Sequence, residues 1–308
     1  MAPATDKSLT IICPVFNEQV TVPLFVKRLE PVAQVIRQRG YEVSLTFIDN
    51  ASVDQTQDIV RELCRESHWV SLLVMSRNFG YQCSVECGLR NTRTELSLVI
   101  DVDCEDPPEM ALTFLDHIEA GFDVVYGERL QREESAILIW VRRMYYRVTR
   151  AAADEHFILD MAEFAMINRE VREAVLKDQS SFPFIRASIG RVGYSRKAIP
   201  YKREKRIAGE THYNLWRMTV FGVAGILSSS TWLLRVPTYL FPFWLTGIIG
   251  LGIAAFTGHS EYFYLMAILS FSYIGFTAAV ISLYLARVYK NTLMRPNYHL
   301  NRKLSVIR

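Results

Sequence analysis

Two long stretches without a charged residue, Val236 to Gly258 and Tyr262 to Ala286, constrain this chain more than any other feature. Each reaches the roughly 20 residues that an α-helix needs to cross a bilayer. The connection His259-Ser260-Glu261 holds no Lys or Arg. Arg235 precedes the first stretch, and Arg287, Lys290, Arg295, Arg302 and Lys303 follow the second. Because cytoplasmic flanks collect Lys and Arg, this pattern puts both ends inside and the short connection outside. A helical hairpin buried in a large soluble protein would be equally apolar but has no reason for such flanks. We therefore expect a transmembrane hairpin (236–258 and 262–286) within a membrane segment covering 235–308.

The segment 213–234 before it is rich in Leu, Val, Phe and Trp, but Arg217 and Ser228-Ser229-Ser230 interrupt it. It is expected to be an amphipathic helix lying in the membrane interface, since a third crossing would invert the C-terminus. Residues 1–212 are then a soluble domain. Met1 to Ser8 is polar and lacks the apolar core of a signal peptide, so that domain is expected on the cytoplasmic side of the cell membrane. All five cysteines lie between Cys13 and Cys104 and none forms a Cys-X-X-Cys pair. That pattern speaks for free thiols in a reducing compartment rather than a zinc site. A net charge of +3 gives no nucleic-acid footprint. Gly247, Gly250, Gly252 and Ala254 would permit close helix packing in a homo-oligomer.

The soluble part alternates strands with helices. Apolar runs at Leu9–Cys13, Val43–Ile48, Val70–Met75, Leu96–Ile100 and Asp123–Tyr126 predict strands. Between them, 18–39, 54–66, 81–91 and 108–120 read as helices. Such βαβ alternation predicts an α/β domain with a mostly parallel sheet and helices on both faces. Its ligand crevice lies at the carboxyl ends of the strands. There the fourth strand ends abruptly in Asp101-Val102-Asp103-Cys104-Glu105-Asp106-Pro107-Pro108-Glu109. Two carboxylates one residue apart suit a hard divalent cation, Mg²⁺ or Mn²⁺, which completes its shell with water and substrate phosphates. A solvated acidic loop is the competing reading; the strand before and the Pro-Pro after favour a metal–diphosphate site. No Gly-X-Gly-X-X-Gly or Walker loop is present, which disfavours a dinucleotide dehydrogenase or P-loop NTPase.

Taken in order, these motifs resemble the family-two glycosyltransferases of GT-A fold. The similarity is to the polyprenyl-phosphate branch, typified by dolichyl-phosphate mannose synthase and bactoprenol glucosyltransferase. Pro14-Val15-Phe16-Asn17-Glu18 resembles that family's opening motif, and Asp49 to Thr56 its Asp-Asp-Gly-Ser-X-Asp-X-Thr. Ser76-Arg77-Asn78-Phe79-Gly80 and Asp101–Glu109 resemble its central motifs, and Arg206 to Tyr213 its Arg-X-X-Gly-X-Ser-X-Tyr. Arg295-Pro296-Asn297-Tyr298 resembles the exit from the second span in the bacterial group. Asn50 and Tyr81 depart from the family's usual Asp and His.

The resemblance implies inverting transfer of a sugar from a nucleotide diphosphate to a polyprenyl phosphate. It implies that Pro14, Phe16, Glu18, Asp49 and Asp101 bind the nucleotide-sugar. Asp101 and Asp103 would hold the metal, with Glu105, where the family commonly has Gln, as third ligand. Asp160 to Phe164 resembles the family's Asp-X-Gly-Asp-Phe-Arg, with Glu163 for the second Asp and Ala165 for Arg; Asp103, Asp160 and Glu163 are thus the expected catalytic carboxylates. A phosphate acceptor is already anionic, so positioning and charge neutralisation should outweigh base catalysis. Arginines suit that task through their fixed fork of donors, and Arg129, Arg132 and Arg206 are the candidates. Lys202, Arg203 and Lys205 would steer anions. The donor is expected to be a UDP-sugar, glucose first, with GDP-mannose or a modified UDP-sugar as alternatives. A processive synthase is set aside because no Gln-X-X-Arg-Trp motif occurs, leaving a non-catalytic nucleotide- or lipid-phosphate-binding scaffold as the competing class.

Overall fold

The computed structural model describes residues 7–130, 161–178, 180–181, 183–207, 231–257 and 261–307. The expectations for 213–230, Asp160 and Arg132 lie outside the described residues. The chain divides into two compact units. One contains the described residues up to 130, those from 161 to 207, and 296–307; the other contains 231–257 and 261–295.

The first unit is built on a seven-stranded sheet of order β3-β2-β1-β4-β6-β5-β7. The strands are β1 (Ser8–Val15), β2 (Glu42–Asp49), β3 (Val70–Val74), β4 (Leu96–Val99), β5 (Val124–Arg129), β6 (Met161–Asn168) and β7 (Arg196–Tyr201). The pairs β1–β2, β2–β3, β1–β4 and β5–β7 are parallel, whereas β6 runs antiparallel to both neighbours. The sequences of β1 and β3 are mostly apolar, and all their residues, including Ser8, Thr10 and Ser71, are buried, as a sheet covered on both sides requires.

Among the described residues six helices cover the sheet: α1 (Thr21–Gln38), α2 (Thr56–Glu66), α3 (Tyr81–Asn91), α4 (Met110–Glu119), α5 (Arg169–Leu176) and α6 (Ile185–Val192). One core joins Phe25, Leu29 and Ile36 of α1, Val60 of α2 and Phe114 of α4 to one face of the sheet. The other joins Val85 and Leu89 of α3, Val171 and Val175 of α5, and Ile185 and Ile189 of α6 to the opposite face. Phe25, Phe47 and Phe114 are fully enclosed, each contributing about 1.5–3 kcal/mol by burial.

Helices α1, α2 and α4 begin two or three residues later than the sequence pattern predicts. For α1 the cause is visible: the Glu18 carbonyl accepts from the amides of Thr21 and Val22 at 3.1 and 3.0 Å, closing a turn ahead of the helix. That turn keeps Glu18 in the crevice rather than on a helix face. The strands β6 and β7 were not anticipated.

The last residues pack on the first unit along the free edge of β3. Leu72 and Val306 exchange backbone hydrogen bonds at 2.8 and 2.7 Å, and Ser76 donates to the His299 carbonyl at 2.8 Å. An open strand edge is thereby covered.

The second unit holds α7 (Trp232–Phe256) and α8 (Tyr262–Thr292), both long and apolar enough to cross a membrane and almost entirely unburied. They pack through Trp244 and Tyr273, stacked at 4.8 Å, and the Tyr273 hydroxyl donates to the Pro237 carbonyl at 2.8 Å. Helix α8 continues past Ala286 through Arg287 and Lys290, whose long stems let an end-of-helix charge reach a polar layer.

Candidate active site

The crevice sits where β1 feeds β2 on one side and lies against β4 on the other, the switch point of a doubly wound sheet. Three loops leave the strand ends there, and each carries a non-glycine residue in the left-handed region: Asn17 (φ 57°), Ala51 (φ 61°) and Cys104 (φ 55°). Such backbone is costly and persists where surrounding contacts over-determine it.

Those contacts are explicit in the loops after β1 and β2. Asn17 donates from its amide to Ser52 Oγ and accepts from the Val53 amide, both at 2.9 Å. The Glu18 amide donates to Thr56 Oγ1 at 2.8 Å. Asp49, fully buried, accepts from the Ser52 amide at 3.1 Å and from Gln57 Nε2 at 2.7 Å. Burial pushes the Asp49 carboxyl above its ordinary range, while the Ser52 and Gln57 hydrogen bonds pull it back. Asn50 reaches across to the loop after β3, donating to Asn78 Oδ1 at 3.1 Å and accepting from the Phe79 amide at 2.8 Å. Pro14 is buried, and the Phe16 ring is left 37% exposed at the lip.

The loop after β4 is electrostatic. Asp101 accepts from the Tyr81 hydroxyl at 2.7 Å. Burial, reinforced by the charges of Asp103, Asp106 and Glu163, pushes its pKa up to about 7. Asp103 accepts from the Glu105 amide at 3.1 Å. The segment after β7 is zipped along this loop: Glu204 and Ile207 donate from their amides to the Glu105 and Asp103 carbonyls at 2.9 and 3.1 Å. From it, Arg203 pairs with Glu105, and Arg206 pairs with Glu18 while lying 3.9 Å from Asp103. Asp106, 1% exposed, is held by the Tyr201 hydroxyl and by Arg129 Nη2 at 3.1 Å. A Cβ on Gly127 would lie 2.6 Å from the Tyr201 ring, so the glycine lets that ring lie across β5.

Glu163 reaches the same crevice because β6 runs backwards. Ala165 pairs with Val99, so two residues before Ala165 falls level with two residues after Val99, which is Asp101. Glu163 accepts from Gln82 Nε2 at 2.8 Å and lies 2.9 Å from Arg186 Nε.

These strand ends present paired carboxylates, buried polar loops and several arginines. Residues 10–176 match the family described as Glycosyl transferase family 2. The chain belongs to this family. The glycosyltransferase YkcC of Bacillus subtilis is 30% identical over 75% of this chain and 71% of its own length. The bactoprenol glucosyl transferase of Shigella phage SfX is 28% identical over 94% and 97%, and the Escherichia coli prophage homolog is 27% identical over 96% and 98%. Among solved structures, the mannosyltransferase PcManGT of Pyrobaculum calidifontis aligns over 92% of this chain and 86% of its own at 19% identity, with a TM-score of 0.47.

In this glycosyltransferase the crevice gathers Pro14, Phe16, Glu18, Asp49, Asp101, Asp103, Glu105, Glu163, Arg129 and Arg206. Among the described residues no three His, Cys, Asp or Glu side chains converge on one point; Glu105 is turned to Arg203, and Arg129 to Asp106. Sequence reasoning passed over Tyr81 as a partner of Asp101, and missed Gln57, Gln82, Arg186 and Tyr201. Asp106 lay within the acidic stretch after β4, but no local spacing marked it as the buried partner of Tyr201 and Arg129.

Proposed function

We propose that this glycosyltransferase moves a sugar, glucose first, from a UDP-sugar to a polyprenyl phosphate such as undecaprenyl phosphate, inverting the anomeric carbon. The observation that carries this reading is the similarity to a bactoprenol glucosyl transferase along 94% of this chain and 97% of that one. Two helices long and apolar enough to cross a membrane, in a chain whose strand-end crevice carries several arginines, support a lipid-borne acceptor. They also support a multi-pass protein of the inner membrane with its catalytic domain on the cytoplasmic face.

Asp101 and Asp103 fit a hard divalent cation, Mg²⁺ or Mn²⁺, as an all-oxygen pair. Burial and the neighbouring carboxylates push Asp101 up to about 7, and a bound cation would offset both. Glu105 would serve as a third ligand after exchanging Arg203. When bound, such an ion neutralises charge on a leaving diphosphate. Asp49 and Glu18 would take the ribose and base, with the exposed Phe16 ring alongside. Arg206, with Arg129 and Arg132, would receive the acceptor phosphate, each guanidinium offering a pair of donors to two oxygens. The acceptor oxygen is anionic and needs no strong base. It forms a bond to the anomeric carbon as the bond from that carbon to the diphosphate breaks, and UDP departs. Glu163 would orient the acceptor phosphate from the sheet side, with Asp160 as the other expected catalytic carboxylate.

The deciding experiment incubates the full chain in detergent with undecaprenyl phosphate and a panel of labelled UDP- and GDP-sugars, with Mg²⁺, Mn²⁺ or chelator. One metal-dependent lipid-linked product from a UDP-sugar is expected. A product from GDP-mannose alone would move the donor assignment. Nucleotide binding with no product from any donor would favour a non-catalytic scaffold.

A further inference from the structure

The arginine that meets Glu163 comes from a different part of the chain than those meeting Glu18, Glu105 and Asp106. Arg186 lies in the first turn of α6, with its Nε 2.9 Å from Glu163 Oε1; the two side chains are 28% and 15% exposed. The Nε–H is not aimed along that vector, so the contact is charge against charge rather than a hydrogen bond. The guanidinium is itself fixed twice, donating from Nη1 to the Met161 carbonyl at 3.0 Å and lying 5.2 Å from the Phe184 ring centre. Gln82, the other partner of Glu163, accepts from the Ile185 amide at 3.2 Å. The start of α6 thus controls both groups that touch the carboxylate. Nothing in the transfer chemistry above uses Arg186.

We propose that Arg186 is a positioning residue: it pins the Glu163 carboxylate in the crevice and influences sugar transfer through that carboxylate alone. Two features favour positioning over direct phosphate binding. Arg186 is already matched by a carboxylate at contact distance, and its Nη1 donates to the Met161 carbonyl at the start of the strand that carries Glu163. The inference rests on the reading in which Glu163 serves the acceptor. A misplaced group at a reacting centre is costly, with about 1 Å of displacement worth up to roughly 100-fold in rate.

The test uses the full chain in detergent as four proteins: wild type, Arg186→Gln, Glu163→Gln and the double variant, with Arg186→Lys as the milder replacement. Turnover, acceptor KM and melting temperature are measured for each. For Arg186→Gln we expect kcat to fall by roughly 10- to 100-fold with acceptor KM unchanged. The double variant should be no slower than Glu163→Gln, and Arg186→Lys should recover part of the loss by keeping the charge. A raised acceptor KM at unchanged kcat, or losses that multiply in the double variant, would overturn the proposal. Should Glu163→Gln retain full turnover, the role given to Glu163 falls, and the melting temperatures judge the contact separately. Non-additive melting shifts then uphold Arg186 as the residue that holds Glu163, and additive ones remove it.

Discussion

The two sides of the crevice are held together by different forces. On the β1–β2–β3 side, the loops are joined by neutral hydrogen bonds among backbone amides, Asn17, Asn50, Ser52, Thr56 and Asn78. Facing them, carboxylates are matched by arginines: on the β4–β6 side Glu105 by Arg203, Asp106 by Arg129 and Glu163 by Arg186, and across the crevice Glu18, from the loop after β1, by Arg206. The first kind of bonding is satisfied within the protein and asks for no rearrangement. The second stores both signs of charge in mutual neutralisation, so a metal ion or a phosphate must compete with a partner already in place. On the proposed function, a donor's nucleoside would meet a preformed wall, whereas its diphosphate and the acceptor would meet exchangeable ion pairs.

The largest effect should come from removing charge where the second side has no arginine at hydrogen-bond distance. Asp103→Asn keeps the shape of the side chain and the backbone contacts of its loop, so the melting temperature should hold while transfer falls by about a thousand-fold. Undiminished transfer would place the charge-sensitive step elsewhere. Arg206→Ala comes next. Loss of a charge-assisted pair to phosphate is worth about 1.5–3 kcal/mol, so acceptor KM should rise by roughly 10- to 100-fold with donor binding little changed. Unaltered acceptor kinetics would return Arg206 to a merely structural partner of Glu18.

The contrast also explains what could be read from the sequence. Strands β1, β3 and β4 are buried throughout, and β2 and β5 are built around apolar, buried positions, so these strands identify themselves. The acidic end of β4 and the polar loops after β1 and β2 follow from those strands. By contrast, β7 is an edge strand with Arg196, Lys197 and Pro200, a composition suited to a sheet margin and invisible as an apolar run. Strand β6 interrupts its apolar pattern with Glu163, the residue that matters for the site. The ion pairs were beyond reach for another reason: Arg206 and Glu18 are 188 positions apart, and no local spacing encodes their meeting. Separation alone does not divide the two sides: the neutral contacts span 28 to 38 positions and the Arg129–Asp106 pair 23, and both kinds form only when the sheet brings the strand ends together.

A third prediction concerns pH. Asp101 titrates near 7 in the folded chain against about 3.9 for an ordinary aspartate. Its folded pKa lies above the unfolded value, so the fold prefers the protonated form. The stability this gives is fully present below about pH 4 and lost as pH rises toward 7. A divalent cation needs the ionised form and must displace that proton. Mn²⁺ affinity should therefore strengthen by about tenfold per pH unit up to pH 7 and level off above it. Asp101→Asn should abolish that slope. A flat Mn²⁺ titration between pH 5.5 and 8, a range chosen to span about 1.5 units below the folded value and one above, would remove Asp101 from the metal assignment.

The smallest effect belongs to the neutral side. Gln57 donates to the buried Asp49 at 2.7 Å and also to the Ser52 carbonyl at 3.3 Å. Gln57→Ala leaves Asp49 with the Ser52 amide, so the carboxylate keeps a partner and its loop keeps its shape. One hydrogen bond to a charged group is then lost, at about 1.5–3 kcal/mol, with solvent entering the gap returning part of it. Donor KM should rise by about 5- to 10-fold, while acceptor KM and the metal's pH slope stay as in wild type. That separation is the sharpest measure of the two-sided crevice. If Gln57→Ala instead shifts acceptor kinetics or the Mn²⁺ titration, the two sides are coupled through Asp49, and the preformed wall is part of the electrostatic network it faces.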